Sequence, residues 1–204
     1  MPRAKTYDRV TALEKARDAF WQYGYDALGV RAIEELTGLN RFAIQTEFGG
    51  KEGLFLEALE GYGDMMIEQI ITPISAGGLA AIKQFFMDAT IFQENDPRLF
   101  GCLMVNTVVE NAARNNTELK KRTDAHYARM LAAFKSALNN ARKRGEISAG
   151  FDIAEAAAFL LGVAMGIQVY IRMTGSLSTA RQQVSMVVKT IDSWQNQSCC
   201  HNKT

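Results

Sequence analysis

Cysteine is scarce in this chain, and its scarcity indicates the cellular compartment in which the protein functions. Only Cys102, Cys199 and Cys200 occur among 204 residues, too few and too badly spaced for a disulfide framework. The first residues also lack the apolar core of a signal peptide. We therefore expect a cytoplasmic protein.

Histidine is scarcer still, with His126 and His201 alone. The sequence holds no HExxH, GxSxG, P-loop or dinucleotide-binding motif, and no Glu-x-x-His pair of the kind that builds metal sites in helical bundles. We expect no enzyme, no cofactor and no metal site. A helical-bundle enzyme remains the least favoured alternative.

An excess of basic residues is also missing. The chain has 23 basic and 22 acidic side chains, and residues 1–55 carry eight of each. A nucleic-acid-binding protein usually shows a basic excess. Any such surface on this chain would have to gather its basic side chains on one face.

Strand-like alternation is absent and only three prolines occur, which predicts an all-α fold. Pro73, followed by Ser-Ala-Gly-Gly, predicts the end of a helix that begins at Lys51. Pro97 predicts the first turn of another helix. About nine helices are expected: two short ones within 30–48, and longer ones near 9–23, 51–71, 79–93, 101–114, 117–144, 153–173 and 179–194.

The most informative stretch is VRAIEELTGLNRFAIQTEFGGKEGLF, residues 30–55. Two short apolar-periodic helices flank a Thr-Gly-Leu-Asn turn, in which Gly38 tolerates the positive φ of a sharp turn. Asn40 then caps the second helix. This pattern predicts a helix-turn-helix, whose second helix fits the major groove of DNA.

An extended set of residues shows a family resemblance here. The chain resembles the TetR (tetracycline repressor) family of bacterial transcriptional regulators at Ala16, Phe20, Gly24, Tyr25, Val30, Ile33, Gly38, Leu39, Ile44, Phe48, Lys51 and Glu52. The resemblance implies a homodimer that represses transcription from an operator. It implies a three-helix helix-turn-helix head over 1–52 and a helical ligand-binding and dimerisation body over 53–195. Residues 196–204 are expected to form a flexible tail.

The candidate DNA contacts lie around the helix-turn-helix. Lys51 at a helix start suits a backbone phosphate, and Arg41 can bond both acceptors of a guanine. Glu47 either points away from DNA or accepts from a cytosine. A basic arm, Arg3 and Lys5, could reach a groove edge. The full set of expected contacts is Arg31, Asn40, Arg41, Phe42, Gln45, Thr46 and Lys51.

Two apolar faces near the C-terminus predict a dimer contact. Ala158, Gly162 and Gly166 recur at helical spacing and let another helix approach closely. The stretch around them contains Glu155 and Gln168 and is rich in Ala and Gly, which argues against a membrane span. The expected interface is Ala158, Gly162, Met165, Gly166, Val169, Val184, Val188 and Ile191. Burial within one chain is the alternative.

Aromatic and methionine side chains of the body predict an adaptable apolar pocket, although such residues are more often plain core. Polar residues among them need hydrogen-bond partners, and a ligand is one such partner. The candidate set is Phe86, Phe100, Met104, Asn106, His126, Tyr127, Met130, Met165 and Gln168. We expect a small, largely apolar effector, with effector-free DNA binding as the alternative. Cys102 and the Cys199-Cys200-His201 tail are open to redox or metal roles, but a buried thiol and a mobile tail are favoured.

Overall fold

The computed structural model describes residues 7–92 and 96–195 of the chain. The first helices are α1 (Arg9–Tyr23), α2 (Val30–Thr37), α3 (Arg41–Phe48) and α4 (Lys51–Met66). After α4 come a π-helix (Ile67–Ile71), α5 (Thr72–Ala76), α6 (Leu79–Asp88) and a 3₁₀ turn (Pro97–Phe100). The chain continues with α7 (Leu103–Arg114), α8 (Thr117–Lys143), α9 (Ile153–Thr174) and α10 (Ser178–Ser193).

The predicted break at Pro73 is wrong, because helix runs without interruption from Lys51 to Ala76. In an α-helix the proline ring would clash with the carbonyl four residues earlier. Here the preceding turn is a π-helix, in which the Thr72 amide bonds the Ile67 carbonyl five residues back. The wider turn accommodates the ring, so Pro73 lies in the first turn of α5.

Two other predicted helix bounds are also wrong. The helix expected to reach residue 93 ends at Asp88, since both the amide and the hydroxyl of Thr90 bond back to the Met87 carbonyl in a turn. The helix expected to start at Gly101 starts at Leu103. The turn that Pro97 predicts is present as the 3₁₀ helix, with Asp96 as its cap.

We count α4, the π-helix and α5 as one continuous helix. On that basis the described residues hold nine helices of α type and no strand, which confirms the predicted fold class. Two apolar clusters divide them. We call the first the head core: it joins α1–α4 to the start of α7 and to Leu119 of α8. The second, the body core, joins the π-helix, α5, α6 and α8–α10. The expected division at residues 52 and 53 falls inside α4. The arm and the tail lie outside the described residues.

Candidate functional site

The helix-turn-helix forms as its residues predict. Gly38 ends α2 in the left-handed region at φ +76°, and its amide bonds the Glu34 carbonyl. The Asn40 side chain caps α3 by accepting from the Ala43 amide at 2.8 Å. The Glu34 carboxylate accepts from the Arg41 amide at 2.5 Å, which adds a second tie between the two helices.

One side of α3 is presented to solvent. Ala43, Ile44 and Phe48 are buried in the head core, whereas Arg41, Phe42, Gln45 and Thr46 are exposed. Phe42 is 76% exposed, an unusual position for an aromatic ring unless a partner covers it. Asn40 and Arg31 are exposed beside this side, and Arg31 forms an ion pair with Glu35 at 3.3 Å. Such a surface pair contributes little and opens easily.

Glu47 does not share this outward side. Its carboxylate accepts from the Tyr7 hydroxyl and lies 4.0 Å from the Arg9 guanidinium, before and at the start of α1. The side chain therefore points toward α1, which is the first of the two alternatives that the sequence left open. The repulsion between a carboxylate and DNA phosphates is thereby reduced.

Lys51 is half-buried at the start of α4. Its Nζ lies 4.2 Å from the centroid of the Tyr25 ring, and the Arg114 guanidinium lies 3.8 Å from the same ring. Burial lowers the pKa of Lys51, while the nearby Asp26 carboxylate opposes that change. Among the described residues no side chain caps the first turn of α4, so its amides remain available to an anion there.

Gly53 is a residue of the head that sequence reasoning missed. A Cβ at this position would lie 1.6 Å from the Phe48 carbonyl oxygen, so only glycine lets α4 pass so close to the end of α3. Its backbone has no positive φ, and the sequence pattern carries no signal for this contact. Gly53 therefore fixes the angle at which α4 meets α3, which we call the recognition helix because its outward side fits the major groove.

A cavity of about 230 Å³ lies where the head core meets the body core. Five predicted ligand residues line it: His126, Tyr127, Met130, Met165 and Gln168. Its other walls include residues outside that candidate set: Trp21, Tyr62, Met65, Met66, Gln69, Ile70, Phe85, Phe92, Cys102, Val105 and Leu161. The cavity is thus formed by both halves of the chain.

The other four predicted ligand residues lie elsewhere. Phe86 is buried and stacks on Phe134 in the body core. Met104 belongs to the head core, and Phe100 packs against that core. The Asn106 amide donates to the Phe100 carbonyl at 2.9 Å, so a backbone group rather than a ligand is its partner.

Two polar atoms beside the cavity have no hydrogen-bond partner among the described residues: His126 Nδ1 and the Tyr127 hydroxyl. Burial, with a smaller contribution from Arg129, lowers the pKa of His126 to about 4. Burial also raises the pKa of Tyr127 well above its usual range. Both side chains are therefore neutral near pH 7, and each leaves a hydrogen bond unmade.

Cys102 also lines this cavity, with its Sγ accepting from the Tyr62 hydroxyl at 3.5 Å. Burial raises the pKa of the Cys102 thiol. The thiolate is the reactive form of cysteine. The structure therefore favours the buried, unreactive thiol among the two alternatives.

Several hydrogen bonds tie α1 and the turn after it to the body. The Trp21 indole donates to the Gly101 carbonyl at 2.9 Å, and the Arg172 guanidinium donates to the carbonyls of Trp21 and Gln22 at 3.1 and 2.9 Å. The Glu110 carboxylate accepts from the Tyr25 amide at 2.8 Å. The position of α1 thus depends directly on α7 and α9.

The predicted dimer face divides between two helices. On α9, Ala158, Gly162, Gly166 and Val169 are exposed, and a Cβ added at either glycine would meet nothing within 4 Å. Phe159 and Met173 extend this apolar surface, which we call the α9 stripe, and Met165 turns toward the cavity.

The α10 part of the predicted face requires correction. Val184 and Ile191 are only 6% and 0% exposed and belong to the body core of their own chain, and Val188 packs against that core. These residues of α10 face the other body helices, so Val184 and Ile191 are covered within their own chain. The exposed large apolar side chain of α10 is instead Met186.

Among the described residues, α9 is the one helix long and apolar enough to span a membrane by length and composition. A single such helix is weak evidence, since a helix that packs in a soluble protein meets the same criteria. No group of three potential metal ligands occurs in the described ranges. The Cys199-Cys200-His201 set lies outside them.

Family models match most of the chain. Residues 12–58 match "Bacterial regulatory proteins, tetR family", and residues 78–187 match "Tetracyclin repressor-like, C-terminal domain". The chain is 28% identical over 184 residues to the HTH-type transcriptional repressor ComR of Escherichia coli, covering 88% of this chain and 87% of ComR. It is 30% identical over 118 residues to the repressor AcnR of Corynebacterium efficiens, covering 58% and 57%.

Solved structures share the fold. A mutant of the TetR family regulator CifR, in complex with a 26-base-pair operator, superposes with a TM-score of 0.78 at 22% identity, covering 94% of this chain and 99% of CifR. A TetR regulator from Chloroflexus aurantiacus gives 0.79 at 22% identity, covering 92% and 95%. The chain belongs to the TetR family and is a DNA-binding transcriptional regulator, as its helix-turn-helix indicates.

Proposed function

We propose that this protein is a cytoplasmic homodimeric repressor that binds an inverted-repeat operator and is released by a small, largely apolar effector in the cavity. The observation that carries this proposal is the position of the cavity, which is bounded by Trp21 of the head and by residues of the body. An occupant of this cavity touches the helices that hold the recognition helix.

The route from cavity to DNA is short. Tyr62 and Met65 line the cavity from α4, whose first turn packs Gly53 against the end of α3. Trp21 lines it from α1 and is bonded to Gly101. A ligand changes DNA affinity only if it binds one head arrangement better than the other. A coupling of about 1–3 kcal/mol gives a clear response.

The side chains on and beside the outward side of α3 suit distinct roles on DNA. The exposed Arg31 and Thr46 and the half-buried Lys51 suit contacts with backbone phosphates, which position the protein without reading sequence. Arg41 and Gln45 suit readout of base edges from the major groove. Phe42 is an exposed ring beside them and suits an apolar contact with a thymine methyl group.

The α9 stripe supports the dimer. Its small residues leave room for a symmetry-related α9, and such a contact would bury Phe159 and Val169, which are 42% and 45% exposed in one chain. A two-fold axis there pairs two heads. Paired heads engage half-sites about one helical turn apart, so the operator should be an inverted repeat. ComR and AcnR are named repressors, which supports repression as the direction of control.

Selection of bound fragments from genomic DNA tests the DNA part of the proposal. We expect enrichment of one inverted repeat at moderate salt, bound by two chains. Thermal-shift screening of small apolar compounds should then find stabilising hits that weaken operator binding, measured by fluorescence anisotropy. Hits that stabilise the protein and leave operator affinity unchanged would favour the alternative, a dimeric DNA-binding protein without an effector.

A further inference from the structure

Two neighbouring residues of the cavity wall each have a polar atom that lacks a hydrogen-bond partner among the described residues. His126 is 4% exposed and its Nδ1 has no partner in the described part of the chain, and the same is true of the hydroxyl of the adjacent Tyr127. A buried polar group without a partner is costly. Both residues line one cavity, and the centroids of their rings lie 5.4 Å apart.

Among the polar groups that a ligand can carry, a hydroxyl group is the best partner for both of these atoms. Neutral imidazole carries one donor and one acceptor nitrogen, and the Tyr127 hydroxyl can donate or accept. A ligand hydroxyl both donates and accepts, so it can pair with Nδ1 in either tautomer and still bond the tyrosine. A carbonyl only accepts and would pair with Nδ1 in one tautomer alone.

The walls and the size of the cavity define the rest of the ligand. Trp21, Tyr62, Phe85 and Phe92 present aromatic surfaces, which suit a ring stacked or packed edge-on against them. An engineered apolar cavity of about 150 Å³ holds benzene. By proportion, the 230 Å³ found here accommodates a ligand of about nine or ten non-hydrogen atoms.

Charge in the cavity is already balanced. Arg98 reaches the wall, but its guanidinium donates two bonds to the Asp96 carboxylate at 2.6 and 2.8 Å, and the Asp88 carboxylate lies nearby on the wall. An anionic ligand would face the Asp88 carboxylate and gain little from an arginine that is already paired with Asp96. The site therefore favours an uncharged ligand.

We propose that the cavity selects neutral phenol-type effectors, with one fused or substituted aromatic ring system whose hydroxyl pairs with His126 and Tyr127. This rests on the proposed effector function for its regulatory meaning, but binding itself can be tested without DNA.

The test compares three probes that share one ring system at pH 7: 5-indanol, indane and indane-5-carboxylate. A phenol is uncharged at this pH. Equilibrium dialysis with the intact protein should give 5-indanol a Kd at least ten-fold lower than that of either other probe. Equal binding of indane and 5-indanol, tighter binding of the carboxylate, or no binding of 5-indanol would overturn the proposal.

Two single substitutions test whether the preference for 5-indanol over indane comes from the Tyr127 hydroxyl. Tyr127→Phe removes only the hydroxyl and should bring the Kd of 5-indanol to within about three-fold of that of indane, with indane binding unchanged. Tyr23→Phe, at an exposed tyrosine that does not line the cavity, is the matched control and should keep the ten-fold preference. Loss of the preference in the control, or its persistence in Tyr127→Phe, contradicts the assignment.

Operator binding separates this inference from the proposed function. If 5-indanol binds with the expected preference and operator affinity does not change, the ligand class stands and the effector function fails. If other compounds release the operator while 5-indanol does not bind, the effector function stands and the ligand class fails. The wild-type probe series decides the ligand class even if a variant does not fold.

Discussion

The head (residues 1–52) and the body (residues 53–195) both have well-buried interiors, but they differ in the contacts that they leave unmade. In the head, Phe20, Ile33, Leu39 and Ile44 are each at most 2% exposed, and the rings of Phe20 and Phe55 meet edge-on at 4.8 Å. The body contributes most of the cavity wall and holds all three buried side-chain atoms without partners in the described residues, on His126, Tyr127 and Gln183. It also carries the uncovered α9 stripe.

The difference indicates a division of labour. Base readout needs side chains held at fixed positions, and a tightly packed head supplies them. Response to a ligand needs a region whose interior gains contacts when it is occupied, and unmade hydrogen bonds beside a cavity provide that gain. Each prediction below alters one side of this contrast.

The largest effect is expected on the open face of the body. Gly166→Leu adds a side chain where a single chain has open space, so the monomer fold should tolerate it. In a two-fold contact both copies are altered, and overpacking costs about 1–3 kcal/mol at each. Light scattering should show monomers, and operator affinity should fall. Gly61→Leu, on an open face of α4, should remain dimeric. A dimeric Gly166→Leu variant would show that α9 is not the contact.

Next in size is a change inside the tightly packed head. Gly53→Ala places a Cβ at 1.6 Å from the Phe48 carbonyl oxygen, so α3 and α4 must separate. If the overpacking cost of about 1–3 kcal/mol is lost from DNA binding, operator affinity should fall about 5- to 150-fold in an anisotropy titration. The control is Gly61→Ala in the same helix, where the added methyl group meets nothing and helix propensity should raise stability by roughly 0.5–1 kcal/mol. Similar operator affinity in both variants would disprove the steric argument.

Substitutions on the surface of the head should weaken DNA binding in two distinguishable ways, by loss of base preference and by loss of affinity for all sequences. Arg41→Ala should relax preference at one base pair, at a cost of about 1–3 kcal/mol. Lys51→Ala should weaken binding to all sequences and reduce the slope of log affinity against log salt by about one unit, as expected for one phosphate contact. Titrations against operator and random DNA at several salt concentrations measure both. An equal loss on both DNAs for Arg41→Ala would contradict its role in base readout.

The smallest effect concerns the unpaired histidine of the body. Because the pKa of His126 is lowered to about 4 from a usual value of 6.5, the unfolded chain takes up a proton on acidification before the folded chain does. Its contribution to stability is therefore present above pH 6.5 and decreases as pH falls toward 4. Between pH 7 and pH 5.5, His126→Phe should remove at most about 1.4 kcal/mol of the pH dependence of urea unfolding.

The control for this prediction is urea unfolding of the same His126→Phe variant between pH 7 and pH 8, where the contribution of His126 to stability is nearly constant. Wild-type and variant chains should then change in parallel. If they also change in parallel between pH 7 and pH 5.5, the pKa of His126 is not the source of the pH dependence.

The head was predictable from sequence because its signals are local. Gly38 and Asn40 act within a few residues of their own position, so spacing alone identifies the turn and the cap. Gly53 was missed because its role depends on how α4 crosses the end of α3, and a glycine early in a helix carries no mark of that geometry.

The body was predictable only in part, because its site depends on which helices meet. Gln168 interrupts the apolar stretch GIQVYI and His126 adjoins Tyr127, and both line the cavity, whereas Asn106, chosen for the same reason, donates to a backbone carbonyl instead. Trp21 was missed because its helix belongs to the head by sequence, and Tyr62 was missed because spacing along α4 does not show which helices meet it. For Val184 and Ile191 the apolar spacing was real, but periodicity shows only that a face is covered. It does not show whether the cover comes from the same chain.

The π-helix at Ile67–Ile71 has a consequence for comparing this chain with its relatives. Each α-helical residue turns the helix by about 100°, so a single inserted residue would rotate α5 away from the body core. A π turn takes up one extra residue between bonded groups, and the faces before and after it keep their orientation. A relative with one residue fewer here would align with a one-residue gap and continue as an unbroken α-helix. Shortening this turn in the present chain should therefore keep both cores in their present orientation only if Pro73 is replaced as well, because an α-helical turn would bring its ring against the carbonyl four residues earlier.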